Sequence, residues 1–117
     1  MPPERSDPAF LWDMLDAGRT IVNMTASVTF EQYLADRKLQ LAVERAIEII
    51  GEAARRVSES FKAAHPEIPW PPIIAQRHIL AHEYGEIQQD RIWRVAKTHV
   101  PALITQLEPL VPGPPDA

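Results

Sequence analysis

DRKLQLAVERAIEIIGEAARRVSESF, residues 36–61, carries an apolar stripe at Leu39, Val43, Ala46, Ile47, Ile50, Ala53, Val57 and Phe61. Steps of three and four residues put these side chains on one side of a helix with 3.6 residues per turn, while Arg45, Glu48, Glu52, Arg55 and Arg56 fall off it. The stretch reads as one long core helix. Such a helix has to bury its apolar face against other elements, and the flanking sequence supplies them.

Upstream, Ser6-Asp7-Pro8 gives a cap followed by a first-turn proline, and Leu11, Leu15, Gly18 and Val22 recur at helical spacing to about Met24. The run Ser27-Val28-Thr29 interrupts the pattern before a short turn or helix from Phe30 to Leu34. Downstream, Pro66, Pro69, Pro71 and Pro72 make His65 to Trp70 a connector, and the later prolines suit the opening of a next helix. That helix carries Ile73, Ile74, Arg77 and His82, with Gly85 as its stop or the start of a loop. Asp90 is expected to cap a final helix with Ile92, Ala96, Leu103 and Leu107 facing inward, kinked near Lys97 to Val100 because Pro101 removes a backbone donor. Pro109, Pro112, Pro114 and Pro115 predict a non-helical end. With no repeat and no strand pair, the expected fold is all-α: a bundle of about four principal helices in one domain, 1–117, with irregular tails at 1–6 and 111–117.

At 117 residues and 45% hydrophobic, the chain can build one modest core. It has no run long enough to span a bilayer and no secretory-type N-terminus, so a cytoplasmic protein is expected. The absence of cysteine excludes disulfide and thiolate chemistry. A net charge of −4 argues against a protein that coats nucleic acid, although it leaves room for a local basic cleft. Nine of the twelve cationic residues are arginine, the side chain best shaped for phosphate.

The chemistry-bearing stretch is Arg77-His78-Ile79-Leu80-Ala81-His82-Glu83-Tyr84, an Arg-x-x-x-x-His-x-Tyr pattern. It combines a permanent cation with a donor fork, a proton shuttle and a modifiable hydroxyl, which together suit a phosphodiester. The bland reading is that Arg77 pairs with an acid or caps carbonyls while His82 packs. Five helical positions separate Arg77 from His82 by about 140°, so one regular helix does not put them on one face, whereas Arg77 and Tyr84 nearly share one. Either the helix unwinds near His82 or a second copy of the chain completes the cleft.

His78 and His82 are an i, i+4 pair able to touch a metal, but spacing fixes no third ligand and HExxH is absent; no metal or cofactor is expected. His78 fits better as a polar neighbour that orients the motif or contacts its ligand. Arg91, Arg94 and Lys97 form either a phosphate-tracking strip or a solvated face. Glu48, Glu52 and Arg56 read most simply as a surface network. Trp12, Trp70 and Trp93 suit core or interface anchoring better than base stacking.

Gly51-Glu52-Ala53, Ile68-Pro69-Trp70, the Arg77/His82/Tyr84 motif and Asp90-Arg91-Ile92-Trp93 together resemble the HEPN superfamily, and within it the HepT-like toxins of toxin-antitoxin pairs. The resemblance covers most of the chain; it departs at His78, where the family usually has asparagine. It implies a homodimeric, metal-independent endoribonuclease toxin in which Arg77 and His82 are catalytic, and through Gly51-Glu52-Ala53 it adds Glu52 as a candidate supporting residue. It also implies a cognate minimal nucleotidyltransferase antitoxin that adenylylates the residue matching Tyr84. Its alternative is a non-catalytic HEPN module that binds nucleotide or regulates a nucleotidyltransferase.

Overall fold

The computed structural model describes residues 6–82 and 88–112, with only the backbone described for 77–82. These residues are all-α, as expected: α1 (Asp7–Thr25), α2 (Phe30–Leu34), α3 (Arg37–Arg56), α4 (Glu59–Ala64), α5 (Trp70–His82), α6 (Gln89–Arg94), a π-helical turn (Val95–His99) and α7 (Val100–Leu107), closed by a 3₁₀ turn at Glu108–Leu110. The long elements are α1, α3, α5 and the composite final helix, which matches the expected four. No described helix is long and apolar enough to cross a membrane.

Helix α3 is central because its stripe is apolar for five turns. Val43, Ile47, Ile50, Ala53 and Ala54 are buried, and each fully buried Val or Ile contributes about 1.5–3 kcal/mol. Asp36 opens the helix by accepting from the Leu39 amide at 3.0 Å, while Thr29 and Gln32 close a reciprocal capping box on α2. Helix α1 packs along α3, and so does α5; the final helix packs mainly on α1. Gly18 lets that last contact be close: a Cβ there would lie 3.3 Å from Ile104 Cγ1 and 3.5 Å from Val100 Cγ1, tight but within reach of a small side-chain shift.

The long-helix expectation needs one correction. The backbone turns extended at Val57 and restarts in α4, so 36–61 is two helices rather than one. Ser58 is the cause: its hydroxyl accepts from the Phe61 amide at 3.2 Å, a helix-start bond that competes with continuing α3. Asp7, at the start of α1, fixes the break by accepting from Ser58 N at 2.9 Å and Ser58 Oγ at 2.6 Å. Val57 stays 2% exposed and Phe61 still packs against the core, so the apolar spacing outlasts the helix.

Smaller differences have similar local causes. Ser6 holds the cap position of α1 but makes no side-chain cap bond. Leu11, Leu15 and Gly18 are buried as expected, whereas Val22 is exposed and Met14 and Ile21 join the buried side. The last helix begins at Gln89, with Gln88 at its cap, leaving Asp90 as a first-turn charge that favours the helix dipole. Pro109 lies in the 3₁₀ turn rather than in irregular chain. The expected irregularity before Pro101 is the π turn, where Val100 N–H donates to Val95 O, one residue further back than in an α-helix. Gly85 lies outside the described residues.

Candidate functional site

Arg77, His78 and His82 lie in the last two turns of α5, whose backbone stays helical through His82. The helix does not unwind before His82, so positions 77 and 82 remain about 140° apart around the axis. Tyr84 lies outside the described residues. Of the two routes to a complete cleft, the one based on unwinding is therefore not taken up to position 82.

Along the first half of α5, at Pro72, Ile73 and Gln76, runs a groove of about 490 Å³. It exists because α5 leans on α3 while the final helix leans on α1, and the two pack little against each other. Ile47 and Ile50 of α3 form its floor; Ile73 and Gln76 lie on the α5 side, Val100 and Leu103 on the other. Gln76 immediately precedes Arg77. Arg91, Arg94 and His99 are exposed residues that line the same groove, and neither arginine makes an ion pair among the described residues. Two exposed guanidiniums beside an apolar floor can hold phosphate without first breaking a salt bridge.

Lys97 departs from the expected strip. Its Nζ donates to Thr25 O at 2.9 Å and sits 5.4 Å from the centre of the Trp93 ring, tying the π turn to the end of α1. It does not line the groove. Glu52 also lies elsewhere, pairing with Arg55 at 2.9 Å and Arg56 at 3.1 Å around a second hollow shared with Arg45 and Glu48. On α3, positions 49, 52 and 56 point to the side roughly opposite positions 47 and 50. Trp70 is buried, and Trp12 and Trp93 pack half-buried against the core, in line with the anchoring role expected of them.

A polar chain that the sequence reading missed holds α6 in place. Glu44, 8% exposed on α3, accepts from Gln89 Nε2 at 2.8 Å, and the Oε1 of Gln89 accepts from the Tyr33 hydroxyl. Tyr33 is fully buried with its ring 4.9 Å from that of Trp93. Burial, then the charge of Glu44, pushes the Tyr33 hydroxyl well above its ordinary pKa of 10.0, against a smaller opposing pull from Arg37. Gln40 adds bonds to the carbonyls of Tyr33 and Leu34 at 3.1 and 3.0 Å. The available clue was position: Gln40 and Glu44 fall on the apolar side of α3, within about 60° of Ile47. A polar group on a core-facing stripe requires a partner.

Comparison with known proteins places this architecture. The family model described as "Ribonuclease HepT-like" matches residues 14–110. A Thermococcus cleftensis protein named "Probable ribonuclease HepT" is 38% identical, over 92% of this chain and 97% of its own length. Two Methanocaldococcus jannaschii proteins, named "Putative RNase MJ1380" and "Putative RNase MJ0127", are 31% and 35% identical over 90% and 93% of the chain, and 96% and 90% of their own lengths. No solved structure matches. A family model that takes in α3, α5 and the whole final helix, together with relatives aligned almost end to end, settles the affiliation: the chain belongs to the HepT-like ribonuclease family.

Proposed function

We propose that the chain is a metal-independent endoribonuclease, the toxin half of a toxin-antitoxin pair, cutting RNA at Arg77 and His82. The observation that carries this reading is the groove. Arg91 and Arg94, which make no ion pair among the described residues, lie with Gln76 along one cleft, and Arg77 follows Gln76 on the same helix, a phosphate track that would lead to the motif. Family membership supplies the reaction class.

In the proposed step, His82 takes the proton of a ribose 2′-hydroxyl, and the 2′ oxygen attacks the adjacent phosphorus. Charge builds on the phosphoryl oxygens, where Arg77 offsets it. The bond to the 5′ oxygen breaks, and that oxygen takes a proton. The products are a 2′,3′-cyclic phosphate and a 5′-hydroxyl; DNA, lacking the nucleophile, is not cut. Because positions 77 and 82 diverge on a continuous helix, a homodimer in which two motifs face each other completes the site. His78 orients the motif or contacts RNA, and Glu52 acts at most from the far side of α3. The single-domain reading of residues 1–117 goes with this assignment.

Control is assigned to Tyr84. Transfer of adenylate from ATP to its hydroxyl by a minimal nucleotidyltransferase antitoxin would place a phosphodiester near Arg77 and compete with the RNA phosphate. The test of the catalytic assignment is cleavage of single-stranded RNA by the unmodified chain, by Arg77→Ala and by His82→Ala. Each variant should lose at least about a hundredfold in rate with an unchanged helical circular dichroism spectrum, and sedimentation should show a dimer. Wild-type-like cleavage by either variant removes the assignment, and an active monomer removes the paired site.

A further inference from the structure

Following an RNA backbone requires cations along a surface; it does not require an apolar trough. The groove has one, with Ile50, Ile73 and Leu103 lining a volume of about 490 Å³, a size typical of sites that enclose small molecules. Its polar groups stand at the margins. Gln76 is half-buried and its amide makes no hydrogen bond among the described residues. Gln106 donates through Nε2 to Glu67 O at 2.8 Å, which leaves its Oε1 as an acceptor. Glu67 is the one carboxylate among the described lining residues, and it is already 3.2 Å from His65 Nδ1. The hollow around Glu52, by contrast, mixes acids and bases that neutralise one another.

An apolar floor, amide edges and a cationic rim match one component of RNA: an unstacked base with its phosphate. Bases in single strands are read by splaying them out, stacking them on planar groups including Arg and His, and hydrogen-bonding their edges. We propose that the groove is a base-accepting subsite. One nucleotide of single-stranded RNA, next to the bond cut at Arg77, turns its base in over Ile50, Ile73 and Leu103 and leaves its phosphate on Arg91 and Arg94. Gln76 sets the distance, because it touches the groove and adjoins the catalytic arginine in the chain. This inference rests on the nuclease reading above.

Ala102 offers a clean perturbation, since it lines the groove from an exposed position where an added indole should occupy the trough. The probe is a fluorescein-labelled single-stranded RNA and a series of copies, each with one abasic nucleotide. Binding is read by anisotropy on full-length His82→Ala protein, with and without Ala102→Trp. One abasic position, beside the bond that wild type cuts, should weaken binding about tenfold, the scale of returning about 50–60 Å² of apolar base and groove surface to water. Ala102→Trp should bind the intact RNA as weakly as that abasic copy and show no further penalty.

The abasic series on the otherwise unaltered chain stands even if Ala102→Trp folds poorly. A flat series, with wild type still cutting RNA, overturns the subsite and leaves the nuclease intact. A flat series in which Ala102→Trp instead dissociates a dimer on sedimentation overturns it in favour of a second copy over the groove. A single penalised base on a chain that cuts no RNA supports the subsite and removes the nuclease reading.

Discussion

Tyr33→Phe removes one hydroxyl from a fully buried ring and leaves Gln89 Oε1 without its donor. Losing the hydrogen bond of a fully buried hydroxyl to a half-buried acceptor costs about 1–3 kcal/mol, so at pH 7 the variant should be less stable by about 2 kcal/mol. The size of this gap should depend on pH in one direction. Burial raises the folded-state pKa of Tyr33 above the ordinary 10.0, so its contribution is complete below pH 10 and is lost as pH rises, because the unfolded chain ionises first. At about pH 11.5 the unfolded tyrosine has gained about 2 kcal/mol from ionisation that the folded one has not, at about 1.36 kcal/mol per pH unit. Phenylalanine has no such loss, so the gap should shrink toward zero while all other titrations cancel between the two proteins. Urea unfolding of both chains from pH 7 to about 11.5 measures this directly. Hydrogen exchange at pH 7 should show the amides of α6 losing more protection than those of α3. A gap that is constant with pH, or below about 0.5 kcal/mol at pH 7, would refute both the burial of the hydroxyl and its role in anchoring α6.

RNA cleavage should persist in excess EDTA and leave cyclic-phosphate ends; products with 5′-phosphates, or activity restored only by a divalent ion, would turn His78 and His82 into metal ligands. Incubation with the cognate nucleotidyltransferase, ATP and Mg²⁺ should add adenylate at Tyr84, seen by peptide mass spectrometry, and suppress cleavage. Tyr84→Phe should keep part of the activity and escape suppression, and equal silencing of this variant would point to steric control. Gly18→Ala should change stability by less than about 1 kcal/mol, its gain in helix propensity offset by the push on Ile104 at 3.3 Å. Gly18→Leu should cost at least about 2 kcal/mol by forcing α1 and α7 apart, and urea midpoints compare the two.

The bundle was legible because its long helices announce themselves twice, by apolar period and by punctuation. The proline cluster around Trp70 and Pro101 located the start of α5 and the irregular turn to within a few residues. The break at Val57 was not legible, because the stripe runs through it unbroken and its cause, Asp7, lies 51 residues away from Ser58. The motif was readable as chemistry, while the groove was not. Ile47, Ile73, Gln76 and Leu103 become one surface only through two helices that both avoid each other, a fact of packing that no local pattern encodes. Lys97 shows the same limit in reverse: helical spacing grouped it with Arg91 and Arg94, and a carbonyl of α1 drew it away.

The π turn at Val95–His99 lets the last helix absorb one residue without re-aiming Arg91 and Arg94. Relative to a plain α-helix the turn holds one surplus residue within a single turn, so loss of one residue there would close it to α geometry and leave the segments on either side nearly in phase. Both guanidiniums would stay on the groove while Leu103 and Leu107 kept their places in the core. The same deletion within the regular part of α7 would instead rotate what precedes it by about 100°. Among homologous chains, a one-residue difference in length between Arg94 and Pro101 is therefore the change this cationic pair should tolerate.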